Sequence, residues 1–187
     1  SDSITPQYLS HAIGEAFGPE AVIFNEYPLS IEQCPREKPS TFYSLGPAGG
    51  LGWGLGAAIG AKLAAPEKLI VATLGDGSYM FGNPTASHWV QEKFKLPVLS
   101  IVFNNSRYGA VRRASLYMFK DGAAGANDGR LFADLDPSPA YEELARVHGA
   151  FAERVEKPEE LAGALERAQH AVMHERRLAL LNVICPY

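Results

Sequence analysis

The sequence predicts an α/β protein with a doubly wound, mainly parallel β-sheet flanked by helices. Apolar stretches of strand length alternate with helical stretches along the 187 residues, which is the pattern of parallel strands joined by helical crossovers. Two stretches, 69–74 and 98–103, are apolar at nearly every position, as expected for central strands that are buried on both faces. Each of them runs directly into a polar motif.

Local signals predict the individual elements. Thr5-Pro6 is typical of a helix start, because a threonine cap precedes a proline in the first turn, and Gly18-Pro19 ends this helix. A glycine-rich turn from Gly46 leads into a second helix, which ends near Ala65. The stretch 121–139, rich in Gly, Ala and Asp, is expected to be a mobile excursion. The remaining predicted strands are 21–24, 41–45, 150–155 and 178–184, and the remaining predicted helices are 85–94, 108–118, 140–148 and 158–175.

Length and composition favour one domain, 1–187, with a sizeable core. A net charge of -4 gives no reason to expect a nucleic acid or an anionic membrane as partner. No apolar run is long enough to span a bilayer. Cys34 and Cys185 lie far apart and outside any Cys-x-x-Cys pair, which favours two free thiols in a reducing compartment. A cytoplasmic location is the resulting expectation.

The two polar motifs at predicted strand ends indicate a site for an anion and a metal. Gly75-Asp76-Gly77-Ser78 offers glycines that let the backbone approach a ligand, together with a carboxylate. That carboxylate repels a phosphate unless a cation lies between them. Magnesium prefers hard oxygen ligands shared between protein and phosphate, and Asn105 supplies a neutral oxygen from the neighbouring strand end.

These motifs resemble the cofactor-binding motif of thiamine-diphosphate enzymes, in which Gly-Asp-Gly and Asn-Asn are joined at a similar spacing. Here 26 residues separate Gly75-Asp76-Gly77 from Asn104-Asn105. The segments 47–52 and 104–109 are most similar to those of benzoylformate decarboxylase and acetolactate synthase relatives. The resemblance implies the thiamine-diphosphate-binding fold and the C-terminal, diphosphate-binding domain. It also implies a lyase or transferase that decarboxylates 2-oxo acids or joins them to a second carbonyl compound.

The resemblance also implies a role for individual residues. Asp76, the Asn105 side chain and the Arg107 carbonyl resemble the protein ligands of Mg²⁺, and Gly77 and Ser78 resemble the diphosphate contacts. Leu51 matches the apolar residue that bends the cofactor, and the Gly49 carbonyl matches the acceptor that orients the cofactor's amino group; these two are the expected catalytic residues. The full expected cofactor-binding set is Gly49, Gly50, Leu51, Gly75, Asp76, Gly77, Ser78, Asn105, Arg107, Tyr108 and Gly109.

One departure from the family pattern follows Asn25-Glu26. Relatives often place Ser or Thr after this dipeptide to contact the diphosphate, whereas Tyr27 follows here. Ser30, backbone N–H groups or Tyr27 itself are the alternatives. Substrate-pocket residues are expected mostly outside this chain, with Val111, Ala114 and Ser115 as the candidates within it.

The site is expected to be incomplete in this chain, because the resemblance implies a glutamate on a separate pyrimidine-binding domain. The chain is therefore expected to be the C-terminal domain of a longer polypeptide, with a small 2-oxo acid as substrate and a homodimer or homotetramer as assembly. The alternative is the small subunit of a two-subunit, sulfopyruvate-type decarboxylase.

Two hypotheses of other functional classes compete with the thiamine-diphosphate hypothesis. Gly52-Trp53-Gly54-Leu55-Gly56-Ala57 satisfies the G-x-G-x-x-A pattern of dinucleotide-binding domains, with Asp76 about 20 residues further on. The preceding strand ends too early for that turn, and Asn104-Asn105 would stay unexplained. The second reading is a noncatalytic remnant with a structural or regulatory role. The intact set of proposed metal ligands counts against it.

Overall fold

The computed structural model describes residues 3–126 and 133–186, and its described strands form one parallel sheet. Every pairing is parallel, so the predicted fold class is confirmed. The strand order is β2-β1-β3-β4-β6-β5. The strands are β1 (Val22–Glu26), β2 (Phe42–Ser44), β3 (Ile70–Gly75), β4 (Leu99–Asn104), β5 (Phe151–Val155) and β6 (Ala179–Ile184).

The helices lie close to their predicted positions, with two short additions: one directly after β3, and one within the predicted excursion 121–139. The helices are α1 (Pro6–Phe17), α2 (Trp53–Ala64), α3 (Asp76–Phe81), α4 (Pro84–Phe94), α5 (Gly109–Met118), α6 (Ala123–Ala126), α7 (Tyr141–Arg146) and α8 (Pro158–Met173). The pattern of the sequence did not predict α3, because Gly77 and the aromatic Tyr79 and Phe81 are poor helix formers. Burial of Tyr79, which is 2% exposed, stabilises this helix instead.

Two apolar layers cover the sheet. On one face, α1 and α8 pack together over residues such as Ile23 and Leu181. On the other face, α2 and α7 cover residues such as Ala72 and Leu180. Because both faces are buried, the central strands are apolar at consecutive positions, as predicted. Cys34 and Cys185 are buried free thiols, also as predicted.

The strand order places the switch point of the sheet between β1 and β3. From β1 the chain moves outward to β2 and then crosses to β3 on the other side of β1. Crevices outside the carboxyl ends of strands at such a point are the usual ligand sites of doubly wound folds. Among the described residues, no helix is long and apolar enough to cross a membrane.

Candidate functional site

A cavity of about 280 Å³ opens at the carboxyl ends of β1, β3 and β4. It brings together segments that are widely separated in the sequence. Nine of the predicted cofactor-binding residues line it: Gly49, Leu51, Gly75, Gly77, Ser78, Asn105, Arg107, Tyr108 and Gly109. The predicted pocket residue Val111 lines it as well.

Asp76 lies beneath the wall of this cavity, at the junction of β3 and α3. It is 2% exposed. Its Oδ1 accepts a hydrogen bond from the Gly77 N–H at 2.9 Å, and its Oδ2 accepts one from the Arg107 N–H at 3.1 Å. Burial raises the pKa of the Asp76 carboxyl to about 6, and these backbone hydrogen bonds act in the opposite direction. Within the described residues, no basic side chain pairs with this carboxylate.

The turn after β4 brings Asn105 to the same place. The Arg107 N–H donates both to Asp76 Oδ2 and to Asn105 Oδ1, each at 3.1 Å. The carboxylate and the amide oxygen therefore converge on one point of the turn. Ser106, between the two residues, has a φ of 56°, in the left-handed region that L side chains rarely adopt.

A returning segment of the chain supports this turn from outside. The Tyr108 N–H donates to the Ala133 carbonyl at 2.7 Å, and the Leu135 N–H donates to the Ser106 carbonyl at 2.8 Å. Part of the predicted excursion 121–139 therefore pairs with the site in an antiparallel bridge. Residues 127–132 of that excursion lie outside the described residues.

The donor set of this turn fits magnesium. It combines a buried carboxylate that has no described cationic partner with an amide oxygen and a backbone carbonyl, and hard oxygen donors of this kind are the ligands that Mg²⁺ takes. Among the described residues, no group of three or more His, Cys, Asp and Glu side chains is placed to hold a metal. The predicted set contains one such side chain, Asp76, because its other donors are Asn105 and the Arg107 carbonyl.

Gly77 and Ser78 lie in the first turn of α3 and form part of the cavity wall. A Cβ atom added to Gly77 would lie 2.5 Å from Cδ1 of the Tyr108 ring. The absence of a side chain at Gly77 therefore lets Tyr108 pack directly on the backbone. Ser78 is 6% exposed and lines the cavity beside them.

The glycine-rich segment before α2 forms the opposite wall. Leu51 and Gly49 line the cavity, and Gly49 has a φ of 65°. The hydroxyl of Tyr27 donates a hydrogen bond to the Gly49 carbonyl at 3.1 Å. Tyr27 has a φ of 80°, which is unusual for a bulky residue, and also lines the cavity. Tyr27 is therefore the residue after Asn25-Glu26 that reaches the site.

Ser30, the alternative to Tyr27, points elsewhere: its hydroxyl donates to Glu32 Oε2 at 2.6 Å. Three further residues that the sequence predicts for the site do not line the cavity. Gly50 is exposed and lies outside the lining, as do Ala114 and Ser115. Gly50 faces solvent because the turn directs its neighbours Gly49 and Leu51 toward the cavity. Ala114 and Ser115 lie outside the lining because α5 reaches the cavity with its first turn, which carries Ala110 and Val111.

The carboxylate of Glu26, at the end of β1, is hydrogen-bonded to the start of α2. Its carboxylate is 0% exposed and accepts hydrogen bonds from the Gly52 N–H at 2.7 Å and the Gly54 N–H at 2.5 Å. These N–H groups at a helix start are the ones that a dinucleotide pyrophosphate would need. Since the carboxylate already occupies them, the structure does not support the dinucleotide-binding reading.

The sequence pattern missed several residues that line or support the site. Pro28, Phe103 and Ala110 line the cavity. Asn104, which was grouped with Asn105 by its motif, turns away from the cavity toward Asn182 on β6, 78 residues further along the chain. Pro28, Phe103 and Ala110 each adjoin a residue that the sequence singled out, which was a usable signal for them. The contact between Asn104 and Asn182 has no such signal, because it depends on the pairing of β4 with β6.

Fold and site together define a class: a doubly wound α/β domain with a carboxylate and an amide oxygen beside a cavity of about 280 Å³ at its switch point. Residues 27–183 match the family described as "Thiamine pyrophosphate enzyme, C-terminal TPP binding domain". Thiamine pyrophosphate is another name for thiamine diphosphate. The chain belongs to this family, and the predicted resemblance is confirmed.

Individual relatives agree with the family. Benzoylformate decarboxylase of Pseudomonas aeruginosa is 35% identical over 134 residues, which cover 71% of this chain and 23% of the relative. An acetolactate synthase of Mycobacterium avium is 26% identical over 171 residues, covering 89% of this chain and 27% of the relative.

A solved structure shows the same architecture. It is the thiamine diphosphate-dependent 4-hydroxybenzoylformate decarboxylase of Rhodococcus jostii RHA1, with a TM-score of 0.80 and 26% sequence identity. The match covers 100% of this chain and 33% of that one. The chain thus spans about a quarter to a third of the lengths of these similar proteins.

Proposed function

We propose that this chain is a single domain that binds the diphosphate and Mg²⁺ in a thiamine-diphosphate-dependent enzyme. The proposed enzyme decarboxylates a 2-oxo acid or transfers the product to a second carbonyl compound. The observation that carries the proposal is the convergence of Asp76 and Asn105 on the Arg107 N–H, under a cavity at the switch point. The decarboxylases and the acetolactate synthase among the similar proteins support the reaction class.

The buried carboxylate of Asp76 supplies the charge that this function requires. Negative charge is costly at a site with so little exposure. A divalent cation between Asp76 and a diphosphate stabilises both anions. Asn105 and the Arg107 carbonyl contribute neutral oxygens, so that the cation retains positive charge toward the phosphates. The residues that would hold the diphosphate are those that line this part of the cavity: Gly75, Gly77, Ser78, Tyr108 and Gly109.

The other wall positions the rest of the cofactor. Leu51 is half-buried at the cavity and would offer the cofactor an apolar surface, and Gly49 would offer it a backbone carbonyl. When bound, thiamine diphosphate supplies the electron sink for decarboxylation. The contribution of this chain is to bind and orient it, since a reacting group held close to its proton needs little reorganisation.

A second domain completes the proposed site. The described residues around the cavity include no carboxylate placed for the pyrimidine end of the cofactor, because Asp76 lies on the metal side and Glu26 is bound to the start of α2. The proposed assembly contains a pyrimidine-binding domain on the same longer chain and associates as a homodimer or homotetramer. The small coverage of the similar proteins supports this arrangement.

The test is magnesium-dependent binding of thiamine diphosphate to the intact protein that carries this chain. Asp76→Ala should abolish the magnesium-dependent part of binding, measured by calorimetry at fixed cofactor. Glu166→Ala removes an exposed carboxylate from α8 and serves as the matched control, with parent-like binding expected. Parent-like magnesium dependence in Asp76→Ala would contradict the assignment.

A further inference from the structure

A buried chain of polar side chains lies behind the turn that carries Asn105 and Arg107. It begins at Asn104, which ends β4 and is 1% exposed. The Asn104 Oδ1 accepts a hydrogen bond from the Ser106 N–H at 3.0 Å. Its Nδ2 donates to Asn182 Oδ1 at 3.0 Å and to Ser138 Oγ at 2.9 Å. The Asn104 side chain thus uses both its oxygen and its NH₂ group in hydrogen bonds, and it does not line the cavity.

The chain continues through β6 to α7. Asn182 is 0% exposed, and its Nδ2 donates to Glu142 Oε2 at 2.7 Å. Glu142 lies in the first turn of α7 and is 7% exposed. A carboxylate accepts hydrogen bonds and an amide NH₂ group donates them, so Glu142 turns the NH₂ group of Asn182 toward itself. The oxygen of Asn182 then faces Asn104.

The same logic orients Asn104. Because the Asn182 oxygen accepts, Asn104 presents its NH₂ group to Asn182 and its oxygen to the Ser106 N–H. That contact holds Ser106 in its left-handed conformation, with a φ of 56°. Ser106 in turn sets the direction of the Arg107 N–H, which binds Asp76 and Asn105. A carboxylate 37 positions from Asn105 in the sequence is therefore coupled to the proposed ligands.

We propose that Glu142, Asn182 and Asn104 form a positioning relay that sets the conformation of the Asn105–Arg107 turn and thereby the magnesium affinity of the site. The relay rests on the proposed function, since it acts on the metal ligands named there. None of its members faces the cavity, so each acts through the turn and not on the cofactor. Outer-shell partners of this kind typically change metal affinity by about 10- to 100-fold when they are removed.

The experiment compares the intact protein with relay variants in magnesium titrations at fixed thiamine diphosphate, with unfolding followed in parallel. Asn182→Leu removes both contacts and should weaken magnesium affinity about tenfold or more. At saturating magnesium its kcat should return to near the parent value, because the ligands themselves remain. Glu142→Gln keeps an acceptor for Asn182 and should bind magnesium within about threefold of the parent, whereas Glu142→Leu should resemble Asn182→Leu.

The matched control is Gln91→Leu, which removes a buried hydrogen-bonded amide on α4, away from the turn. It should lower the stability and leave magnesium affinity unchanged. If Asn182→Leu does not fold, Ser138→Ala removes the two hydrogen bonds between the half-buried Ser138 hydroxyl and the Asn104 amide, and should weaken magnesium binding about two- to threefold.

The possible results separate the two proposals. Parent-like magnesium affinity in Asn182→Leu or, if that variant does not fold, in Ser138→Ala would overturn the relay. Equal losses of affinity in Gln91→Leu and Asn182→Leu would also overturn it, because affinity would then follow stability alone. A parent protein whose cofactor binding does not respond to magnesium would instead overturn the proposed function, and with it the metal on which the relay acts.

Discussion

The hydroxyl of Tyr27 lies 3.1 Å from the carbonyl oxygen of Gly49 and donates a hydrogen bond to it. This carbonyl is the proposed acceptor for the amino group of the cofactor. A carbonyl oxygen has two lone pairs, so it accepts from both donors. Tyr27 thus supports the Gly49 carbonyl, which is the group proposed to orient the cofactor.

Removal of the Tyr27 hydroxyl should weaken cofactor binding. The hydrogen bond is worth about 1 kcal/mol, so Tyr27→Phe should reduce affinity for thiamine diphosphate about fivefold. Affinity for magnesium with inorganic diphosphate should not change if the hydroxyl acts through the Gly49 carbonyl, and should fall as well if Tyr27 contacts the diphosphate. Tyr43→Phe, at another partly exposed tyrosine, is the control. Unchanged cofactor affinity in Tyr27→Phe would show that the contact does not support the Gly49 carbonyl.

Leu51 should matter to turnover more than to affinity. Leu51→Ala removes the apolar surface proposed to hold the cofactor bent, while Asp76 and Asn105 still anchor the diphosphate. We expect kcat to fall about tenfold or more and the dissociation constant for the cofactor to change little. Steady-state kinetics and calorimetry measure the two quantities. Weaker binding with a parent-like kcat would identify Leu51 as a packing residue only.

Glu26 should contribute to stability through the start of α2. Its carboxylate accepts the N–H groups of Gly52 and Gly54 in a fully buried position. Glu26→Gln replaces one acceptor oxygen by a donor, so the free energy of unfolding should fall by about 2 kcal/mol. Denaturant titration measures this, with the exposed Glu15→Gln as control. A parent-like stability together with lost turnover would give Glu26 a catalytic role instead.

His88 should make the folded state sensitive to mild acid. Burial lowers the pKa of its imidazole to about 4, with a further contribution from nearby His148, which faces Glu92. The Gln91 Nε2 group contacts His88 Nδ1, so His88 donates from Nε2 to the Tyr79 hydroxyl. Between about pH 6.5 and pH 4, the unfolded chain therefore binds a proton that the folded protein does not.

The stability contributed by neutral His88 is thus present above pH 6.5 and is lost as the pH falls toward 4. Relative to a His88→Gln variant, the parent should lose about 2 kcal/mol of unfolding free energy between pH 7 and pH 5. Denaturant titrations of both proteins at the two pH values give this difference. An identical pH dependence in the two proteins would show that His88 accepts its proton in the folded state.

The 187-residue chain, purified alone, should release no carbon dioxide from 2-oxo acids. Among the described residues of the proposed site, none offers a carboxylate for the pyrimidine end of the cofactor, and cofactor activation is proposed to need such a base. The assay supplies magnesium, thiamine diphosphate and a panel of 2-oxo acids, with the intact protein as positive control. Steady turnover that is abolished by Asp76→Ala would refute the hypothesis that the site is incomplete in this chain. Glu26 would then be the next residue to replace.

Much of the fold was predictable because its signals are local. The apolar stretches 69–74 and 98–103 have the length and composition of central strands, and each leads into a polar motif at the same edge of the sheet. The short helix α3 was not predictable, because Gly77 disfavours a helix and the stabilising burial of Tyr79 comes from the rest of the fold. The role of Tyr27 was left open in the sequence, since its contact with Gly49 spans 22 positions.

The sequence by itself determined the fold class, the family and the position of the Asp76 and Asn105 motifs at strand ends, because these depend on periodicity and on short motifs. Only the tertiary structure decided which side chains meet. Asn104 contacts Asn182, which in turn contacts Glu142, because β4 pairs with β6 and α7 packs beside them. Glu26 turns to Gly52 and Gly54 because α2 begins directly above β1. Such contacts between distant positions arise from packing and leave no periodic trace along the chain.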